Sequence, residues 1–384
     1  MKRQVNLFKR AQWMIERMAY GGFELFLSWW SLPTLFSLGE RLGSLFYHIS
    51  PYYRGIVRRN LSFMLPKERL SHGKPTSQQV KEVFTRNGGN MLTTLAAGRK
   101  SSEELNKCLT ITGLEELEAT AKEAGALLIL AHMGNWEILT RCAGWEQYQD
   151  RLGALYRPLN NPYMNDLVLQ RRESAGMKLI SARNPIYPIL KILKNKGIMC
   201  ILSDQKIGGK GTPVNFFGRI TPCTRLPHMV HERTKAPLFT VSMYATTPGS
   251  WQLDLKQIEG GTQQDIMNAL ANAMQKSLPD CFLFQDRWQE FPKLFKDSSG
   301  SPLTSLTPLP GIIEQSSFLE SYPELRELLP PEQYPLLKWD KGDSPEGAYF
   351  AIGSSPKFIK DCKKVGLKKA IDSPERALRR LRKG

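Results

Sequence analysis

Histidine and cysteine are scarce in this 384-residue chain, with five of the first and six of the second. The cysteines, at positions 108, 142, 200, 223, 281 and 362, stand far apart, with no CxxC pair and no Cys/His metal spacing. That speaks against a disulfide scaffold and a structural zinc site, and for a reducing compartment. Cys142 and Cys200 fall in apolar runs and read as buried thiols. There is no GxSxG elbow, which counts against a serine hydrolase. There is no GxxxxGK[ST] loop either, so ATP is not indicated. Also missing is an uninterrupted apolar run of the roughly 18–20 residues that a clean spanning helix needs.

Positive charge, by contrast, is abundant. The formal net charge is +17, which points to an anionic partner: nucleic acid, an anionic membrane surface or a phosphorylated small molecule. Eight tryptophans and 10% aromatic residues tilt that choice towards lipid, because aromatic rings favour the membrane interface. The excess gathers at the two ends: residues 1–60 hold 9 Lys/Arg against 3 Glu, and residues 360–384 hold 10 against 3 acids. Between Glu24 and Glu40 lies an uncharged stretch of 15 residues rich in Phe, Leu and Trp, with Pro33 inside it and basic residues on both sides. It reads as a membrane-embedded or interfacial anchor, with a buried core helix as the alternative. No small-residue cleavage site follows it, so a removed signal peptide is not expected.

From about residue 124 short apolar runs alternate with helical stretches. "GALLILA", "LGALYRP", "MKLI", "GIMCILSDQ", "PLFTVSMYA" and "WQLDLKQ" read as strands. "NWEILTRCAGWEQY", "NPYMNDLVLQRRESAG", "NPIYPILKILKNKG", "CTRLPHMVHERTKA" and "TQQDIMNALANAMQKSLPD" read as helices. The fold class expected is α/β, with a mostly parallel central sheet flanked by helices and an N-terminal helical membrane-associated segment. The expected organisation is an anchoring segment over 1–60, an α/β domain over 61–295, and a Pro-rich linker with a basic C-terminal extension over 296–384. No internal repeat is visible.

Sites in such sheets collect at the carboxyl ends of strands, and His132, Arg157 and Asp204 each fall at one. In "LAHMGNWEIL", neutral His132 is a natural base for a hydroxyl proton near pH 7. Gly134 permits a tight turn that could bring Glu137 back beneath the ring as an orienting carboxylate. The plainer reading is a strand-end histidine bonded to a carbonyl, with Glu137 on a solvated helix face. Arg157 either clamps a phosphate or is an ordinary ion-paired arginine. Asp204 precedes a glycine-rich basic loop and has no visible metal partners, while "VNFFG" reads as a loop lining a greasy pocket or as simple core packing. His228 and His231 stand at i, i+3 on one helix without the third ligand that a metal needs. His48 and His72 belong to no constellation.

Taken in order, "AHMGNWE", "LYRPLNNP", "LSDQ" with "TPVNFFGR", and "ERTKAPLF" resemble the lipid A biosynthesis acyltransferases. These are the lauroyl/myristoyl transferases of the lysophospholipid acyltransferase superfamily, which carry an HxxxxD/E motif. The N-terminal "LPTLFSLGERLGSLFY" with "RRNL" is similar to that family's entry segment, and the likeness runs over roughly residues 20 to 290. The resemblance implies a catalytic His132 activating an acceptor hydroxyl, with Glu137 as the acid of the motif. It also implies substrate-binding roles for Asn135, Arg157, Asp204 and Arg287. It implies acyl carrier protein as donor and a phosphorylated glycolipid, a lipid A precursor, as acceptor. The place implied is the cytoplasmic face of the bacterial inner membrane, with no cofactor, metal or nucleic acid. A thioester donor needs neither metal nor covalent intermediate, since the hydroxyl attacks directly and a positive group or backbone N–H stabilises the oxyanion.

One departure stands near the end of the family core. Where the family runs into His-Arg-Arg-Trp/Phe, this chain has "FLFQDRW": only Arg287 and Trp288 match, and Gln285 and Asp286 reverse the local charge, which reads as altered acceptor recognition. The tail beyond residue 300 matches nothing in the family pattern and reads as a lipid- or partner-binding end or a solvated one. Two alternatives stay open. One is the same chemistry on a phosphatidylinositol mannoside or a glycerophospholipid. The other is a non-enzymatic basic protein that binds membranes or nucleic acid, although its basic residues are not interleaved with aromatics as in a base-stacking platform.

Overall fold

The computed structural model describes residues 6–71, 74–141, 151–173, 176–183, 186–207 and 211–288. Beyond these it describes 295–296, 302–303, 311–315, 317–329, 334, 336–338, 348, 350–353, 355–365, 367, 370–371 and 373–382. The chain divides into two compact units built from interleaved stretches. One comprises Met1–Gly43, Thr85–Asp204 and Arg225–Cys281; the other comprises Ser44–Phe84, Gln205–Thr224 and Phe282–Gly384.

Four long helices come first: α1 (Leu7–Ser28), α2 (Leu32–Ile49), α3 (Pro51–Met64) and α4 (Ser77–Ala97). The uncharged stretch is therefore not one helix. It is the end of α1, a turn at Trp29–Ser31, and the start of α2, where Pro33 sits in a first turn that has no use for its missing N–H. Among the described residues, no helix is long and apolar enough to cross a membrane. Gly39 of α2 and Gly88 of α4 meet backbone to backbone, where a Cβ on either would strike the other's carbonyl.

The first unit is organised on a seven-stranded sheet. Its elements run α5 (Ser102–Asn106), β1 (Leu109–Thr112), α6 (Leu114–Ala124), β2 (Ala126–Leu130), β3 (Leu152–Tyr156), α7 (Pro162–Glu173), β4 (Met177–Ser181), α8 (Ile186–Lys194) and β5 (Ile198–Leu202). After an excursion into the second unit, where β6 (Thr212–Phe216) and β7 (Arg219–Cys223) lie, come α9 (Leu226–Thr234), β8 (Leu238–Thr247), β9 (Ser250–Gln257) and α10 (Gln263–Gln275). The strand order is β1-β9-β8-β2-β5-β3-β4. Every neighbouring pair is parallel except β8–β9, so the expected mostly parallel sheet with flanking helices is present.

β2 reads "ALLIL" because all five of its side chains are buried. A central parallel strand is covered on both faces and has no use for alternation. β9 is different: its inward residues Trp251, Leu253 and Leu255 alternate with half-exposed ones. Trp251 packs edge-on against Phe36 and donates its indole N–H to Asn90 Oδ1 at 2.8 Å. α10 is amphipathic and opens with a capping box of Thr262 and Asp265.

The "TPVNFFGR" run forms a hairpin of β6 and β7 in the second unit rather than a loop. Phe217 and Gly218, both at positive φ, make its two-residue turn. The stretch read as linker and tail carries a small parallel sheet of Leu336–Lys338, Gly311–Ile313, Phe350–Ile352 and Ala370–Ile371. Helix Pro356–Lys364 buries Phe358 and Cys362 in a core with Ile312 and Ala351.

Candidate active site

The parallel register of β2 and β5 brings two side chains together. Leu130 pairs with Leu202, and the ladder runs one step further through Ser203 N–H to the Leu130 carbonyl at 2.9 Å. His132 and Asp204, each two residues beyond that pair, therefore emerge side by side at the carboxyl edge of the sheet. His132 Nδ1 lies 2.8 Å from Asp204 Oδ1. A carboxylate only accepts, so Nδ1 carries the proton and Nε2 is left as the acceptor. Asp204 is 7% exposed and the imidazole 20% exposed, so the pair is sheltered while the ring keeps an open side. Trp136 packs edge-on against the imidazole with centroids 5.2 Å apart.

The turn between them is tightly determined. Gly134 has φ 61°, and a Cβ there would run into the Met243 carbonyl of β8. Its N–H donates to the Asp280 carbonyl at 2.9 Å. Asp280 is itself buried, accepting from Asn90 Nδ2 at 2.8 Å, from Ser277 Oγ at 2.6 Å and from the Ala245 N–H at 3.3 Å. Burial pushes its carboxyl above the ordinary value, against the pull of Ser277, Asn90 and Arg86.

Four of the expected site residues, Glu137, Asp204, Asn135 and Arg287, are held by protein partners. Glu137 is not the group on His132 Nδ1; that place belongs to Asp204, read from sequence only as a substrate-binding residue. Glu137 is instead gripped by Arg172 of α7 through both carboxylate oxygens, with Nε to Oε2 at 2.9 Å. The cause is local geometry. Trp136–Arg141 is a tight 3-10 helix rather than the start of a long α-helix, and residues 142–148 of the expected helix, Cys142 included, lie outside the described residues.

Asn135, expected on substrate, is wholly buried. Its amide accepts from Thr94 Oγ1 at 2.7 Å and donates to Thr93 Oγ1 at 3.3 Å, so it pins the turn to α4. Arg287, expected on substrate, is also buried. Its guanidinium donates to Thr221 Oγ1 at 2.8 Å and the Pro222 carbonyl at 3.1 Å, tying itself to β7. The charge reversal at Asp286 has a partner inside the same unit, since Arg59 Nε donates to Asp286 Oδ2 at 3.1 Å.

Arg157 directly follows β3 and is exposed. β5 lies between β2 and β3, which places Arg157 on the same carboxyl edge of the sheet as His132. His228 and His231 each place Nδ1 2.9 Å from a main-chain carbonyl, of Gly261 and Ala236. His72 lies outside the described residues. Arg172 and Asp280 were missed by the sequence reading. A signal for the first was the "RR" closing α7; for the second it was an acid straight after an amphipathic helix.

Residues 8–283 match the profile of the bacterial lipid A biosynthesis acyltransferases. The chain belongs to that family. Among characterised members of wider kinship, a phosphatidylinositol mannoside acyltransferase of Mycobacterium tuberculosis is 26% identical over 204 residues, covering 50% of this chain and 62% of the relative. The lipid A biosynthesis lauroyltransferase of Escherichia coli is 24% identical over 222 residues, covering 58% of this chain and 63% of the relative. The chain thus spans less than two thirds of the length of these acyltransferase relatives.

Proposed function

We propose that this protein is an acyltransferase that moves a fatty acyl chain from acyl carrier protein to a hydroxyl of a lipid A precursor. The observation that carries the reading is the His132–Asp204 hydrogen bond. It orients the ring and leaves Nε2 free to take the acceptor's proton. The acceptor oxygen attacks the thioester carbonyl, the new C–O bond forms as the C–S bond breaks, and the proton on Nε2 passes to the leaving thiolate. Asp204 stabilises the imidazolium between those two transfers. Arg157, at the same edge, suits an acceptor phosphate.

The exposed apolar side chains of α1 and the turn after it support work at a membrane surface, and for an acyltransferase of lipid A precursors we infer that this surface is the cytoplasmic face of the bacterial inner membrane. Leu7, Phe8, Ile15, Met18 and Trp29 are all exposed, on a helix that also bears Lys9, Arg10 and Arg17. A basic surface also suits acidic acyl carrier protein.

Identity to the mannoside enzyme is as high as to the lauroyltransferase, so a phosphatidylinositol mannoside is the second acceptor reading. The test offers purified protein an acyl-acyl-carrier-protein with either a tetra-acylated lipid A precursor or a mannoside, and reads products by mass spectrometry. The expected result is one added acyl mass on the lipid A precursor. Addition to the mannoside alone moves the assignment there, and addition to neither overturns both.

A further inference from the structure

α7 packs beside α1, yet none of its residues is fully buried. Apolar burial therefore does little to hold it in place. Polar anchors take that role. Asn161, just before the helix, donates to the Trp13 carbonyl at 3.1 Å and to Glu16 at 2.9 Å. Two consecutive arginines close it. Arg171 binds Glu24 of α1, which is 1% exposed and also faces Arg99 at 3.4 Å. Arg172 takes Glu137 in a two-point grip. Both ion pairs border one cavity of about 160 Å³.

Glu137 stands in the 3-10 helix next to Trp136, the residue whose ring abuts the His132 imidazole. Holding Glu137 holds that short helix, and the helix holds Trp136 against the ring. We propose that Glu137 and Arg172 are positioning residues for His132. On this account the glutamate of the HxxxxE motif acts as an ion-pair anchor and takes no part in proton relay, a task left to Asp204. The neighbouring Arg171–Glu24 pair fixes α7 to α1, so the anchor has a firm base. The kinetic part of this proposal rests on the acyltransfer reading, but the tautomer of His132 does not.

The test compares Glu137→Gln, Arg172→Gln, the swap Glu137→Arg with Arg172→Glu, and Asp204→Asn. Histidine is labelled with nitrogen-15, and the His132 signals are assigned by their loss in His132→Ala. Asp204→Asn is expected to change the His132 tautomer and the pH–rate profile. Glu137→Gln and Arg172→Gln are expected to leave both as in the wild type. Their kcat per folded molecule should fall by up to about 100-fold, the scale of a small misplacement. Their ring signals should report a looser imidazole, with or without acyl transfer. The swap should recover most of kcat, as coupled charges do.

A changed tautomer in Glu137→Gln would make the glutamate a relay group and overturn the proposal. So would unchanged ring order together with unchanged kcat per folded molecule, which would leave the pair a purely stabilising contact.

Discussion

At the scale of single residues, the site depends on buried polar groups with full sets of partners. Asn135→Ala leaves Thr93 and Thr94 without their side-chain partner, and loss of such buried bonds costs about 1–3 kcal/mol. Chemical denaturation should show that loss with KM little changed, since the amide is bonded to Thr93 and Thr94 of α4. Asp280 makes a pH prediction with a definite sign. Its carboxyl is raised above the ordinary aspartate value of 3.8, burial being the largest cause. Below 3.8 both folded and unfolded forms hold the proton. As pH rises from there towards the raised folded value, the unfolded chain loses its proton first, so this group's contribution to stability falls. Urea unfolding of wild type and Asp280→Asn across pH 3 to 7 should give a stability difference that declines with pH through that window. A difference that grows with pH would contradict the assignment.

At the scale of elements, the turn after β2 is the most exacting piece of the fold. Gly134→Ala places a Cβ against the Met243 carbonyl in a left-handed conformation. The expected cost is roughly 1–3 kcal/mol, together with a loss of activity as His132 leaves the register shared with Asp204. Most of the elements from β2 to α10 were legible in the sequence. Their apolar runs are flanked by clear stops: the Asn161–Pro162 start of α7, Gly197 before β5 and the capping box of α10. What escaped were pieces with short periods. The 3-10 helix after His132 looks helical in sequence but turns too tightly to carry Glu137 beneath the ring. The β6–β7 hairpin hid behind a glycine-rich stretch, and the three-residue strands beyond residue 310 hid among prolines. At the site itself, strand ends marked His132 and Asp204, but only the adjacency of β2 and β5 joins them. Strand order is not written in any local pattern, which is why Asp204 was separated from its histidine.

At the scale of the whole molecule, charge and exposed apolar surface point the same way. A net charge of +17 and the exposed Leu7, Phe8 and Trp29 suit an anionic lipid surface. Sedimentation with vesicles rich in anionic lipid should exceed that with zwitterionic vesicles and should weaken with salt. Phe8→Ser and Trp29→Ser should each reduce binding by roughly 10- to 150-fold, the scale of exposing one large apolar side chain at about 1.5–3 kcal/mol. Equal binding to both kinds of vesicle would remove the electrostatic part of this account. The central claim, though, is chemical: His132 is the base and Asp204 its partner. The most direct test is single-turnover acyl transfer from acyl carrier protein to the lipid A precursor by wild type, His132→Ala, Asp204→Asn and Glu137→Gln, each shown to be folded. The account predicts that the first two substitutions each lower the rate by about 10²- to 10⁴-fold, and that Glu137→Gln costs far less than Asp204→Asn. A His132→Ala protein that transfers at the wild-type rate, or an Asp204→Asn protein more active than Glu137→Gln, would contradict it.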